Sequence, residues 1–189
     1  PLTSENQGVK EHLGKVNKLL KVNLMADALV EVEKALKEAK TPDEQLKTIV
    51  TKAEILRASE AYQLALECLW TPSSDLVKKA SIELRIKRLG RLAAVHQEYG
   101  SFAKKSKSDS VLIYIDSALN LALSHPEKNQ LEIASLYNEI GLYVYRKGNT
   151  PDARSYYQKS CKIFSDLNEL ELLVTPLSNL LELESCTFN

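Results

Sequence analysis

Apolar residues recur at i, i+3, i+4 and i+7 along most of the chain, the period that lines one face of an α-helix, and no strand-like alternation stands out. The stretch DALVEVEKALKEAK shows the pattern. Ala28, Leu29, Val32, Ala35, Leu36 and Ala39 share one face, while Glu31, Glu33, Lys34, Lys37 and Glu38 mostly take the other. It closes at TPDE, where Thr41 fits an N-cap and Pro42 the first turn of the next helix. Carried along the chain, the pattern predicts helices near 5–22, 25–39, 43–57, 60–70, 74–99, 109–124, 130–147, 151–166 and 169–185. Most links are short, which makes successive helices antiparallel neighbours. The exception is GSFAKKSKSDS at 100–110, a polar and basic segment expected to be mobile.

The predicted helices repeat. In the second helix of a pair, a small residue is followed four later by an apolar one and seven later by another small one. Ala28–Val32–Ala35 and Ala153–Tyr157–Ser160 fit, and Val111–Ile115–Ala118 fits with valine in the first place. Twelve residues ahead of Ala28, Ala65 and Ala153 stand Val16, Ala53 and Gly141. Val16, Ala53 and Gly90 are spaced by 37, as are Gly141 and Ser178, whereas Gly90 to Gly141 is 51. The 14 extra residues divide as nine before Val111, at the basic loop, and five after Ala118, at SHPEKNQ. A spacing kept everywhere except at an insertion marks a repeat array.

The clearest copy is YNEIGLYVYRKGNTPDARSYY at 137–157. It places Tyr137, Ile140, Gly141 and Val144 in a first helix, Gly148 at the turn, and Ala153, Tyr157 and Ser160 in a second. A weaker copy runs Ile86, Leu89, Gly90, Ala93. This pattern resembles the tetratricopeptide repeat over about four units and a terminal helix. It departs from that pattern at Val16, where the helix-contact glycine is expected, and at a second unit whose B helix stops at Pro72. With its period near 37, the array is similar to the long-period type of bacterial signalling and transcription regulators. The resemblance implies an all-α, right-handed α-solenoid over 1–189, a single domain or a piece of a longer protein. It also implies a non-catalytic, cytoplasmic scaffold that binds a peptide or helix of a partner protein. The alternative it leaves open is a ligand-sensing or self-associating regulatory domain of a larger signalling or transcription-regulating protein.

Gly141 and Gly148 do not make a phosphate loop: they are seven apart, the first falls inside a predicted helix, and no strand precedes it. The expected role of Gly141 is close helix approach, where a side chain would meet Ala153. Lys+Arg and Asp+Glu both number 25, so overall charge gives no pull toward nucleic acid. No apolar run approaches a membrane span. His12, His96 and His125 lack metal-ligand spacing, and no nucleophile–base signature occurs, so neither a cofactor nor enzyme activity is expected. Cys68, Cys161 and Cys186 are read as free thiols.

Two surfaces carry more information. Lys78, Lys79, Arg85, Lys87, Arg88, Arg91, Lys104, Lys105 and Lys107 stand against Glu83 and Glu98 alone between 78 and 107, a cluster suited to phosphate, nucleic acid or an acidic peptide, or else a solvated helix face with a charged loop. The second surface follows from the resemblance, which puts Asn17, Leu20, Glu54, Arg57, Lys87, Arg91, Asn138, Leu142, Tyr145, Asn179 and Glu182 on the concave groove. There Arg57, Lys87 and Arg91 are expected to attract acidic groups, Asn17, Asn138 and Asn179 to bond an extended backbone, and Leu142 and Tyr145 to give apolar contact. The carboxylate clamp of chaperone-tail adaptors is not matched, because Leu13, Thr51 and Leu84 occupy its Lys, Asn and Lys places. Trp70, the single tryptophan, is read as a cap over core. The terminal helix, apolar on more than one face, is expected either to fill the end of the array or to pair with another copy or domain.

Overall fold

The structure is a computed structural model that describes residues 6–102 and 108–187. The described residues are all-α, in ten helices: α1 Gln7–Lys21, α2 Met25–Glu38, α3 Pro42–Ala58, α4 Tyr62–Trp70, α5 Ser74–Lys79, α6 Ile82–Phe102, α7 Ser108–Leu123, α8 Gln130–Arg146, α9 Thr150–Asp166 and α10 Leu170–Thr187. The chain divides into two compact units, Pro1–Ser108 and Asp109–Asn189, where the sequence is read as one domain. The division falls at the basic stretch that interrupts the 37-residue spacing.

In the first unit, α1–α2 and α3–α4 are hairpins, and α3 packs against α1, α2, α4, α5 and α6, with α4 also against α6. The α1–α2 core sets Val9, Leu13 and Val16 against Ala28, Val32, Ala35 and Ile55. Those α1 positions are four and three apart, so each full turn returns an apolar side chain to one face. Burying each larger one stabilises by about 1.5–3 kcal/mol relative to leaving it in water.

The start of α3 is fixed by a capping box between Thr41 and Glu44, with Pro42 in its first turn. Glu44 also links this start to α1: its carboxylate accepts the N–H groups of Asn6 (2.7 Å), Lys40 (2.9 Å) and Thr41 (3.0 Å). The Thr41, Asn6 and Lys40 amides hold the Glu44 pKa at about 2.

The helix predicted over 74–99 is two helices. Ala80 between them is extended (φ −73°, ψ 155°), and the Ser81 N–H donates to Asp43 Oδ1 at 2.7 Å. Ala80 is buried with Leu46 and Leu84, so the apolar period runs through the break and conceals it.

Three helix ends share one geometry. The φ of Asn23 is 59°, of Glu60 58° and of Gly148 82°, each seven residues past Val16, Ala53 or Gly141. At each corner the next N–H closes onto a carbonyl five back: Leu24 to Leu19 (2.9 Å), Ala61 to Leu56 (2.9 Å) and Asn149 to Val144 (3.0 Å). These are Schellman ends, which need a left-handed residue and suit glycine best. Gly90 has no such corner: α6 runs on past Gln97, which is buried inside it.

In the second unit, α8 and α9 form a hairpin and α10 packs against α9. Its core joins Ala153 and Tyr157 to Leu183, with Leu142, Val144, Tyr145 and Leu180 packed around them. Gly141 gives close approach as expected, but the residue it admits is Tyr157 rather than Ala153. A Cβ at Gly141 would lie 2.6 Å from both Cδ1 and Cε1 of the Tyr157 ring. That ring is 1% exposed and has nowhere to move. Burial pushes the Tyr157 hydroxyl up to about 12. Pro176 lies inside α10 on its buried side.

Candidate interaction site

The first unit brings Glu54, Arg57 and Arg91 together, one turn apart on α3 and across to α6. Arg57 donates to Glu54 through Nε (3.0 Å) and Nη2 (2.7 Å), and through Nη1 to Glu98 (2.5 Å). Arg91 Nη1 stands 2.6 Å from Glu54 Oε2. All four side chains are half-buried. Burial acts to raise the Glu54 carboxyl, and the Arg57 and Arg91 guanidiniums outweigh it, so its pKa lies below the ordinary carboxylate value.

This geometry corrects the electrostatic expectation. Two carboxylates stand against two guanidiniums, and Lys87 pairs with Glu83, so the cations expected to draw acidic groups are already matched. Glu98, 41 residues from Arg57, is the member that the sequence leaves unassigned to this face.

Beside the cluster, an open cleft of about 760 Å³ lies between α3, the end of α5 and the start of α6. Val50 and Leu84 give it apolar walls, with Thr51, Lys47, Lys79 and Lys87 among its polar residues. Its acids are occupied: Asp43 accepts from Ser81, Glu44 is saturated by backbone amides, and Glu83 pairs with Lys87. Lys47, Val50 and Leu84 were legible candidates. They precede Glu54 and Arg91 at the same spacing, 47, 50, 54 and 84, 87, 91, which keeps them on one helix face.

Asn17 is exposed on α1, and Leu20 leans on the α1–α2 core. In the second unit, Asn179 Nδ2 donates to Asn138 Oδ1 at 2.9 Å, and Asn138 is buried. These two asparagines bond each other across α8 and α10, and Leu142 and Tyr145 are half-buried against the core there.

The remaining sequence features fall as follows. Arg88 of the basic run donates to the Leu69 carbonyl at 2.8 Å, while Lys104, Lys105 and Lys107 lie outside the described residues, as does the 103–107 part of the segment expected to be mobile. Trp70 is half-exposed and tilts over His96, ring centroids 5.6 Å apart. Cys68 and Cys161 are free, and burial pushes both thiols up; the Cys186 side chain lies outside the described residues. His12 pairs with Glu31 at 2.7 Å. Among the described residues no group of His, Cys, Asp and Glu is arranged to hold a metal, and no helix is long and apolar enough to cross a membrane. No protein-family model matches the chain, and no curated protein matches it.

Proposed function

We propose that the chain is a tetratricopeptide-like interaction module whose first unit takes a segment of a partner protein in the cleft between α3 and α6. The observation that carries this is the cleft itself, an open volume of about 760 Å³ lined by Lys47, Val50, Thr51, Leu84 and Lys87. The three corners in register with Val16, Ala53 and Gly141 support the repeat. In this reading, Val50 and Leu84 supply apolar contact, and Thr51, Lys47 and Lys79 orient the segment. The Glu54–Arg57–Arg91–Glu98 cluster acts as a rigid wall that fixes α3 against α6.

The test must leave that cluster intact. Reversing Arg57 would leave Glu54 and Glu98 beside a third acid and unfold the scaffold rather than probe it. A photo-crosslinking residue is instead placed at Thr51 in the cleft or at exposed Lys37 on α2. Crosslinks formed in native extract are then compared by mass spectrometry. Attachment through position 51 alone, weakened by Lys47→Glu with Lys87→Glu at unchanged helicity, is expected. Equal attachment through both positions rejects the cleft.

A further inference from the structure

We propose that α5 is a displaceable strap over the inner end of the α3–α6 cleft, and that Leu76 holds the place an aliphatic side chain of the incoming segment takes; this rests on that cleft being the binding site. Leu46, Ala80 and Leu84 form a small buried cluster, and Val50 and Leu76 pack against it. Val50 and Leu84 are also the apolar walls of the cleft. Leu76 therefore packs on the same cluster that gives the cleft its apolar surface. What it covers is what a partner would need.

α5 is held lightly. It is the shortest helix, six residues, and among the described residues the only helix with no buried side chain. Leu76 and Val77 are half-buried, while Ser74, Asp75, Lys78 and Lys79 are exposed. Its hydrogen bonds are its own: Ser73 Oγ accepts the Leu76 N–H (3.2 Å), Ser73 O that of Val77 (3.1 Å), and Leu76 O that of Ala80 (3.1 Å). Among the described residues no side chain of α5 bonds or pairs with another helix. A helix this short does not hold itself in water, so α5 depends on two half-buried side chains. The strap is pinned at its ends rather than along its length. Before it, Arg88 Nε of α6 donates to the Leu69 carbonyl at 2.8 Å; after it, the Ser81 N–H donates to Asp43 Oδ1 at 2.7 Å. An extended residue flanks α5 on each side, Ser73 (ψ 153°) and Ala80 (ψ 155°). Such element ends absorb the dihedral change of a hinge while the pins stay fixed. Tethered in this way, Leu76 competes with a partner's side chain at high local concentration, and the partner binds only the fraction of molecules in which the strap is lifted. Removing the competitor strengthens binding.

Hydrogen exchange of the full chain in increasing, sub-denaturing urea reads the strap without any partner. The amides of α5 are expected to exchange far faster than those of α3 and α6, at a rate urea leaves almost unchanged, because lifting the strap exposes little surface. Leu76→Ser is expected to speed α5 further while α3 and α6 keep their protection, which also shows the scaffold intact. The photo-crosslinking residue at Thr51 then reads the gate. With Leu76→Ser, attachment through it in native extract is expected to rise about threefold or more, and attachment through exposed Lys37 to stay level. Exchange of α5 with the rate and urea dependence of α3 and α6 overturns the strap and leaves the cleft standing as the site. So does a Leu76→Ser chain whose attachment through position 51 is unchanged or weaker, since Leu76 is then part of the wall. Attachment through 51 no greater than through 37 in both chains rejects the cleft itself, and with it the site that α5 covers.

Discussion

Val16 and Val32 share the seam of α1–α2; Gly141 and Tyr157 share that of α8–α9. The positions correspond, since each B-helix residue lies sixteen after its A-helix mate. Between these extremes stands α3–α4, with Ala53 and Leu69 at the same places, both fully buried. As the A-helix residue shrinks from Val to Ala to Gly, the B-helix residue grows from Val to Leu to Tyr. What is kept is the filling of the seam, not the identity of either residue. Close packing explains this, because an interior at crystal-like density responds to the sum of the volumes that meet.

The largest effects should come from breaking that sum. Tyr157→Val leaves the space beside Gly141 empty and is expected to cost about 4 kcal/mol in urea unfolding. Gly141→Val drives a side chain into a ring that a Cβ alone would approach to 2.6 Å, at an expected cost of about 3 kcal/mol. The double variant transplants the first hairpin's pair. It should lose clearly less than the two single losses added, a coupling read directly from the cycle. Additive losses would show that the seam residues act separately and that the size series is a coincidence.

Glu44 tests a second correspondence. It lies nine residues before Ala53, and Glu132 lies nine before Gly141; both are buried. Replacing the Glu44 carboxylate by the amide of Gln removes a charged acceptor from three backbone N–H groups, and about 2 kcal/mol should be lost. The sign with pH follows from the depressed pKa, about 2 against an ordinary 4.5. The folded state binds the proton less readily than the unfolded chain, so the contribution is complete above about 4.5 and is lost as pH falls toward 2. Urea midpoints at stepped pH should therefore converge for wild type and Glu44→Gln across that window. A gap that persists at the acid end would assign the loss to shape rather than charge.

The corners differ in a smaller way. Gly148 meets a left-handed φ of 82° with the residue best suited to it, whereas Glu60 sits at 58° with a side chain attached. Gly148→Ala should destabilise by about 1 kcal/mol, and Glu60→Gly should stabilise by a little less, because the freer unfolded chain takes back part of the gain. Thermal melts that shift both variants downward would refute the shared corner.

Much of the helical pattern was legible because it is written in burial. Ala28, Ala65 and Ala153 are all fully buried, and the fixed distance of twelve from Val16, Ala53 and Gly141 led to them. Four-residue spacing on one helix reports a face, and a face is what packing reads. The division between α5 and α6 was not legible, because it depends on Asp43 reaching Ser81 from 38 residues away while the apolar period continues through Ala80. The neutral state of the charged cluster was hidden for the same reason. Glu54 and Arg57 are three apart and pair visibly along the helix, but Glu98 and Arg91 are joined to them only by the fold. A sequence pattern ranks which residues share a face; it does not count the opposite charges that a neighbouring helix brings to that face.

The smallest effect concerns Ser160, which holds the place that Ala35 holds in the first hairpin, seven after the small residue of the B helix. Both are fully buried, and Ser160 Oγ has no hydrogen-bond partner there. A hydroxyl taken from water without a partner costs free energy that a methyl does not, so the alanine of α2 is the better residue for the seam of α9. Ser160→Ala should raise stability by about 0.5–1 kcal/mol, measured by urea unfolding at constant slope. A loss instead of a gain would mean that the hydroxyl stabilises α9 in a way the first hairpin does not need, and the two seams would then differ in more than the volumes they fill.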